Sequence, residues 1–246
     1  MRPTISEVPL TDTDLRFAKP LYTVSEAASY VAVPRSTFAS WVHGYVRRSD
    51  DGRTVVGDPV LSSVEVDAGH LSVSFAGLVE GMVLAAIRKS GVPMQRIRPA
   101  LLALQAEFGI EHALASRRLY SDGAELLYDF ATNEAGGPSW NVGQLVVLRT
   151  GQCVFTEVVA EYLNRIEYAK DGYARLVHLP EYRDRQVVAD PTRSFGQPIF
   201  VHGAARVADV LGRFQAGESL QEVADDYGVP LPDLEDAVRV ASRRAA

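Results

Sequence analysis

One cysteine, Cys153, stands among 246 residues, which excludes an internal disulfide framework and any zinc site built from several thiolates. No apolar run approaches the roughly 20 residues that span a bilayer, so no membrane partner is expected. Residues 1–14 lack the basic-then-apolar pattern of an export signal, and the chain reads as cytoplasmic. Positive charge is not in excess: 25 lysines and arginines face 31 aspartates and glutamates, a net charge of −6. The glycine-rich motifs that cradle phosphates, the H-E-x-x-H zinc helix and the G-x-S-x-G nucleophile elbow are all missing. The five histidines, His43, His70, His112, His178 and His202, form no metal-type pair. Neither an enzyme nor a bound metal or cofactor is expected.

What is present is a repeated corner. A small residue followed by Val-Pro occurs between two helix-like stretches at Ala32-Val33-Pro34, Gly91-Val92-Pro93 and Gly228-Val229-Pro230. The small residue suits the close or left-handed end of one helix, valine plugs the corner, and proline presets φ for the next helix. Such helix-turn-helix corners serve nucleic-acid binding or helical docking.

Around the first corner, Thr23-Val24-Ser25-Glu26 forms a capping box and opens a helix to about Val31; the second helix resumes through about Val42. Val33, Phe38 and Trp41 define its core side. Arg35, Ser36, Ala39, Ser40 and His43 are left outward, as a recognition helix requires. Tyr45–Arg48 and Arg53–Val56 flank Ser49-Asp50-Asp51-Gly52, a hairpin signal. Its arginines, Arg47, Arg48 and Arg53, make it a basic wing. Residues 1–20 read as a loose arm.

Apolar positions at Leu78, Val79, Met82, Val83, Ala86 and Ile87 give one helical stripe. A partner helix follows the second corner and ends at Gly109. That pair lacks the small residue four before its corner and reads as scaffold, with Arg96 and Arg98 as possible phosphate contacts. From Leu119 to about Pro180 short strands dominate, with a helix near Glu157–Asn164 and a hairpin turning at Lys170-Asp171-Gly172. The last unit carries a strand near Pro198–Val201, a helix near Val207–Phe214, and a second capping box at Ser219-Leu220-Gln221-Glu222 before the third corner. The expected fold is mainly α within an α+β class. It comprises a winged helix-turn-helix domain (20–109), a small α+β connector (110–185) and a three-helix module (186–246).

Charge separates the corners. Residues 35–53 carry four arginines against Asp50 and Asp51, whereas residues 218–236 carry seven acids and no base. Asp225, Asp226, Asp233, Glu235 and Asp236 on the third corner would repel phosphates. That end suits a protein partner, and the first corner suits DNA.

Residues 22–108 resemble a MerR-type DNA-binding domain, through Tyr22-Thr23-Val24-Ser25-Glu26-Ala27-Ala28 and Gly91-Val92-Pro93-Met94-Gln95-Arg96-Ile97-Arg98. Residues 188–240 resemble the carboxy-terminal module of small bacterial antitoxins. The marks are Asp190-Pro191, Gly196-Gln197-Pro198-Ile199 and the run from Ala216 to Gly228. The chain departs at Gly203-Ala204-Ala205-Arg206, where that module carries Gly-Thr-Arg. Together the halves resemble a VapB-family antitoxin with an amino-terminal DNA-binding domain. The resemblance implies a VapC-type PIN-domain ribonuclease toxin as partner, and repression of its own operon by a homodimer on double-stranded operator DNA. PIN nucleases gather acids around Mg²⁺, so a basic tail, Arg239, Arg243 and Arg244, is the expected toxin contact. The alternative is a MerR-like, ligand-responsive transcriptional regulator without a toxin, sensing a small molecule in the connector. Against it, MerR regulators continue into a long dimerisation helix where Gly109 ends this one. A docking adaptor that binds no DNA is a third reading.

Overall fold

The computed structural model describes residues 12–48, 52, 54–67, 70–89, 93–95, 97–99, 101, 111–117, 119, 146–149, 152–155 and 157–245. Arg53, Arg96, the second corner's Gly91 and Val92, Gly109 and residues 120–145 lie outside them.

Residues 12–17, expected within a loose arm, form helix α1 (Asp12–Phe17). Arg16 is buried and ion-paired with Asp171 at 2.5 Å, and this long-range pairing is invisible to local sequence pattern. The Thr23 capping box forms in full: the Glu26 N–H donates to Thr23 Oγ1 at 3.1 Å and the Thr23 N–H to Glu26 Oε2 at 2.8 Å. It starts α2 (Val24–Val31). The corner residue Ala32 is left-handed, φ 60°, with its N–H on the Ala28 and Ser29 carbonyls. Pro34 stands at the N-cap, one residue ahead of α3 (Arg35–Val42). Strands β1 (Tyr45–Arg48) and β2 (Thr54–Gly57) then pair antiparallel, Val46 opposite Val56. A second hairpin, β3 (Ser63–Asp67) with β4 (His70–Val73), follows.

Helix α4 (Phe75–Lys89) is buried on every side from Phe75 to Ile87. The one-sided stripe read from its sequence is therefore too narrow: α1 and α2, the 113–115 turn, α5 (Glu157–Leu163) and the strand Ala174–His178 all pack on it, as an all-round apolar helix demands. Each large apolar side chain it buries contributes roughly 1.5–3 kcal/mol. Gly77 and Gly81 permit the approach, since a Cβ would stand 2.1 Å from the Ser62 carbonyl at one and 2.5 Å from the Phe38 ring at the other.

Beyond it, β5 (Val146–Arg149) pairs with β6 (Gln152–Phe155). A four-stranded antiparallel sheet runs in the order β10 (Ile199–Phe200), β9 (Val187–Ala189), β8 (Ala174–His178), β7 (Ile166–Tyr168). It takes two strands from each side of residue 186. Alternation along β8, β9 and β10 sends Val177, Val187, Ala189 and Phe200 into the main core and Leu176, Val188 and Ile199 to the other face. The chain closes with α6 (Val207–Gln215), α7 (Leu220–Tyr227) and α8 (Leu231–Ala245), mutually packed. The whole is mixed α+β with an amino-terminal helix-turn-helix.

Asp236 corrects the sequence reading that placed it on the acidic outer face. It is buried, and its carboxylate accepts the Arg183 N–H at 2.9 Å, Gln186 Nε2 at 3.0 Å and Arg239 Nε at 2.8 Å. Against the opposing effect of burial, the Arg183 N–H and the Arg239 guanidinium hold its pKa below the ordinary value. Asp225, Asp226 and Glu235 are exposed.

Candidate nucleic-acid interface

Helical spacing splits α3 cleanly. Phe38, Trp41 and Val42 are buried, while Arg35, Ser36 and His43 are exposed and Ala39 and Ser40 half-buried. Arg35 Nε donates to Ser25 Oγ at 2.8 Å, which fixes the guanidinium across the corner. The Ser40 hydroxyl donates to the Thr37 carbonyl at 2.7 Å, so its proton is committed within the helix.

His43 and Gly44 separate α3 from the wing. Gly44 is left-handed, φ 71°, and a Cβ there would meet the Gly57 carbonyl at 2.4 Å. This turn keeps the wing beside α3. After the wing, the Val60 and Leu61 N–H groups donate to the Trp41 carbonyl at 2.8 and 3.2 Å and cap the end of α3. Arg47 and Arg48 are exposed on β1, with Arg47 6.0 Å from the Tyr45 ring centroid.

Arg98, expected at phosphate, points inward. Its guanidinium lies 5.2 Å from the Tyr45 centroid, Nη2 donates to the Ser40 carbonyl at 3.4 Å, and Nε and Nη1 are shielded from solvent. Among the carboxy-terminal arginines, Arg243 and Arg244 are exposed and Arg239 is half-buried. Arg239 is bound to Asp236. Arg244 pairs with Glu181, donates to the Ser29 carbonyl at 3.2 Å and lies over the Tyr30 and Tyr182 rings at 5.9 and 6.0 Å.

Sequence reasoning missed a second polar cluster behind the wing. Glu80 is buried and accepts the Ser62 N–H at 2.7 Å; His112 Nδ1 lies 3.4 Å from Glu80 and 2.5 Å from Ser62 Oγ. Burial disfavours the charged imidazole. The hydrogen bond and charge of Glu80, with the charge of Glu111, outweigh it and raise the pKa of His112. The signal was there: Glu80 is the only carboxylate inside an apolar helix. Among the described residues no cluster of three or more histidine, cysteine or acidic side chains is arranged to hold a metal, and no helix is long and apolar enough to cross a membrane.

Residues 20–101 match the family model described as "Putative DNA-binding HTH domain", which makes the amino-terminal part a helix-turn-helix DNA-binding domain. Residues 187–241 match the model described as "Protein of unknown function (DUF433)". The chain is 46% identical over 230 residues to "Putative antitoxin VapB45" of Mycobacterium tuberculosis, covering 92% of this chain and 96% of that one. It therefore belongs to the VapB family of antitoxins, in a form that carries an amino-terminal helix-turn-helix domain. It is also 29% identical over 224 residues to "Uncharacterized protein Rv2308" of the same organism, covering 89% of this chain and 88% of the other. The crystal structure of Rv2018 from M. tuberculosis superposes with a TM-score of 0.76 at 45% identity, over 91% of this chain and 99% of that one.

Proposed function

We propose that this antitoxin represses its own operon by placing α3 in the major groove of operator DNA, with the β1–β2 wing on the adjacent backbone. It would act as a homodimer on a palindromic site and neutralise a VapC-type PIN-domain ribonuclease through residues 186–246. The observation that carries the DNA-binding part is the exposed row Arg35, Ser36 and His43 continuing directly into Arg47 and Arg48. The third corner repeats the geometry, with Gly228 left-handed at φ 62° after the Ser219 capping box, but exposes acids instead. Arg35 further sits in the first turn of α3, where no acid stands. A cation there opposes the helix dipole, a cost that a phosphate oxygen reverses. Residues 20–109 are thus assigned a MerR-like reader role, residues 110–185 the connector, and residues 186–246 the toxin-binding module. Within that module Arg243 is the arginine presented to the toxin, while Arg239 and Arg244 support the surface from internal pairings.

Fluorescence anisotropy with the promoter DNA of its own operon tests the reader. Binding that falls steeply with salt is the expected result, because released counterions drive it; salt-insensitive or absent retention overturns it. Co-expression with the neighbouring gene tests the second half: a co-purifying complex and relief of growth arrest are expected, and their joint absence removes the toxin from the reading.

A further inference from the structure

The wing depends on groups outside itself for its place. Among the described residues its two strands pair only with each other. Val46 and Val56 stand 73% and 63% exposed, and an isolated two-stranded hairpin is marginal in water. Two features tie it down at its base. One is the left-handed turn at Gly44. The other is Tyr45, the first residue of β1, which stands opposite Gly57 of β2. A Cβ at Gly57 would lie 2.5 Å from the Tyr45 ring, so glycine leaves that ring room to lie across β2.

The ring meets Arg98. The guanidinium lies 5.2 Å from the Tyr45 centroid, and Nη2 donates to the Ser40 carbonyl of α3 at 3.4 Å. One cation thus touches both the wing and α3. It comes from the helical residues 97–99, beyond the second corner. Its cost is plain: Nε and Nη1 are buried and have no hydrogen-bond partner among the described residues. Unfilled buried donors weaken a fold, and an apolar side chain in place of a buried charge is often neutral or stabilising. Stability therefore does not account for Arg98, whereas the geometry it enforces does. Arg47, assigned above to operator DNA, lies 6.0 Å from the centroid of the same ring, so whatever places Tyr45 also places Arg47.

We propose that Arg98 is a positioning residue of the DNA reader: through Tyr45 and the Ser40 carbonyl it holds the wing at a fixed angle to α3, and it touches no DNA itself. This role rests on the reading of α3 and the wing as the operator-binding surface.

Two measurements on the full chain test it, the first without DNA. Hydrogen exchange at short labelling times is expected to quicken about fivefold in β1 and β2 of Arg98→Leu, with α2 and α4 unchanged. The melting temperature of that variant is expected to be no lower than that of the wild type, because the unfilled donors are gone. In fluorescence anisotropy with the promoter DNA of its own operon, affinity is expected to fall roughly tenfold, as loss of one desolvated cation–π contact can cause. The salt slope is expected to stay as it is, whereas a lost phosphate contact would lower it by about 0.9. Tyr45→Leu is expected to reproduce both effects, and Tyr45→Phe, which keeps the ring, neither; this pair decides the matter if Arg98→Leu does not fold. Unchanged wing exchange or unchanged affinity in a folded variant overturns the proposal, and so does loosening spread equally over α4. A reduced salt slope in Arg98→Leu would put Arg98 on the phosphates and overturns it too. Wild-type protein that fails to bind the promoter removes the operator reading, and wing exchange then still decides whether Arg98 fixes the wing.

Discussion

The Arg244 guanidinium lies 5.9 Å from the centroid of the Tyr30 ring, joining the last helix of the chain to the helix that precedes the reader. The same guanidinium pairs with Glu181 and reaches the Ser29 carbonyl. Burial and the Glu26 carboxylate push the Tyr30 pKa up to about 12 despite this cation. Arg244→Ala is expected to lower stability by roughly 1–2 kcal/mol, from the lost cation–π contacts and a stranded Glu181. Urea unfolding of the full chain measures it, and a loss equal to that of an exposed arginine such as Arg243 contradicts it.

The corner residues Ala32 and Gly228 hold the same left-handed conformation, but only one of them is a glycine. An L-residue there costs roughly 1–2 kcal/mol, partly offset by the greater chain entropy that glycine gives up. Ala32→Gly is expected to raise stability and Gly228→Ala to lower it, each by about 1 kcal/mol. Opposite shifts in melting temperature confirm the pair, and shifts of the same sign refute it.

Gly81→Ala sets two effects against each other. Helix propensity favours alanine by about 1 kcal/mol, but the new methyl would stand 2.5 Å from the ring of fully buried Phe38. Overpacking of this kind costs about 1–3 kcal/mol. The clash is expected to win and the thermal midpoint to fall, since the ring is closed in on all sides; an increase would show that Phe38 has room to move.

His112 has a raised pKa in the folded chain. Its contribution is fully present below the unfolded value of about 6.5 and is lost as pH rises through the higher folded value. Wild-type stability is expected to decline relative to His112→Asn as pH rises above about 6.5. Asparagine is chosen because position 112 has φ 55°, a conformation that asparagine tolerates. Parallel stability curves for the two proteins would exclude the linkage.

Reversing Arg35 and Arg47 to glutamate is expected to abolish retention of operator DNA at moderate salt. Their neutralisation to glutamine should reduce the log–log salt slope by about 0.9 for each phosphate contact removed. Both side chains are exposed, so circular dichroism of the variants should match the wild type. Retained affinity would move the interface elsewhere.

Much of the local structure was legible in the sequence because short-range chemistry writes it. The Thr23 and Ser219 capping boxes, the Asp-Gly hairpin of the wing and the inward Phe38–Trp41 face all follow from residues within a few positions of each other. The long-range partners were not legible. Nothing near Arg16 announces Asp171, and nothing near Arg98 announces Tyr45. Asp236 looked like one more carboxylate on a solvated helix until the 183–186 turn, some fifty residues away, placed two donors on it beside the helical neighbour Arg239. The reading of α4 as one-sided failed for the same reason: a helix covered by elements distant in sequence needs no polar face, and the lone Glu80 marked that.

The four-stranded sheet, with two strands from either side of residue 186, bears on how such a chain can be inherited and cleared. A cut or a recombination joint at that position would leave β8 and β9 each with a bare edge of unpaired amides and carbonyls, open to pairing with another chain. Exchange of the carboxy-terminal part between relatives would have to carry β7 and β8 with it. A protease that nicks the chain near 186 would likewise release two fragments, neither of which keeps a complete sheet.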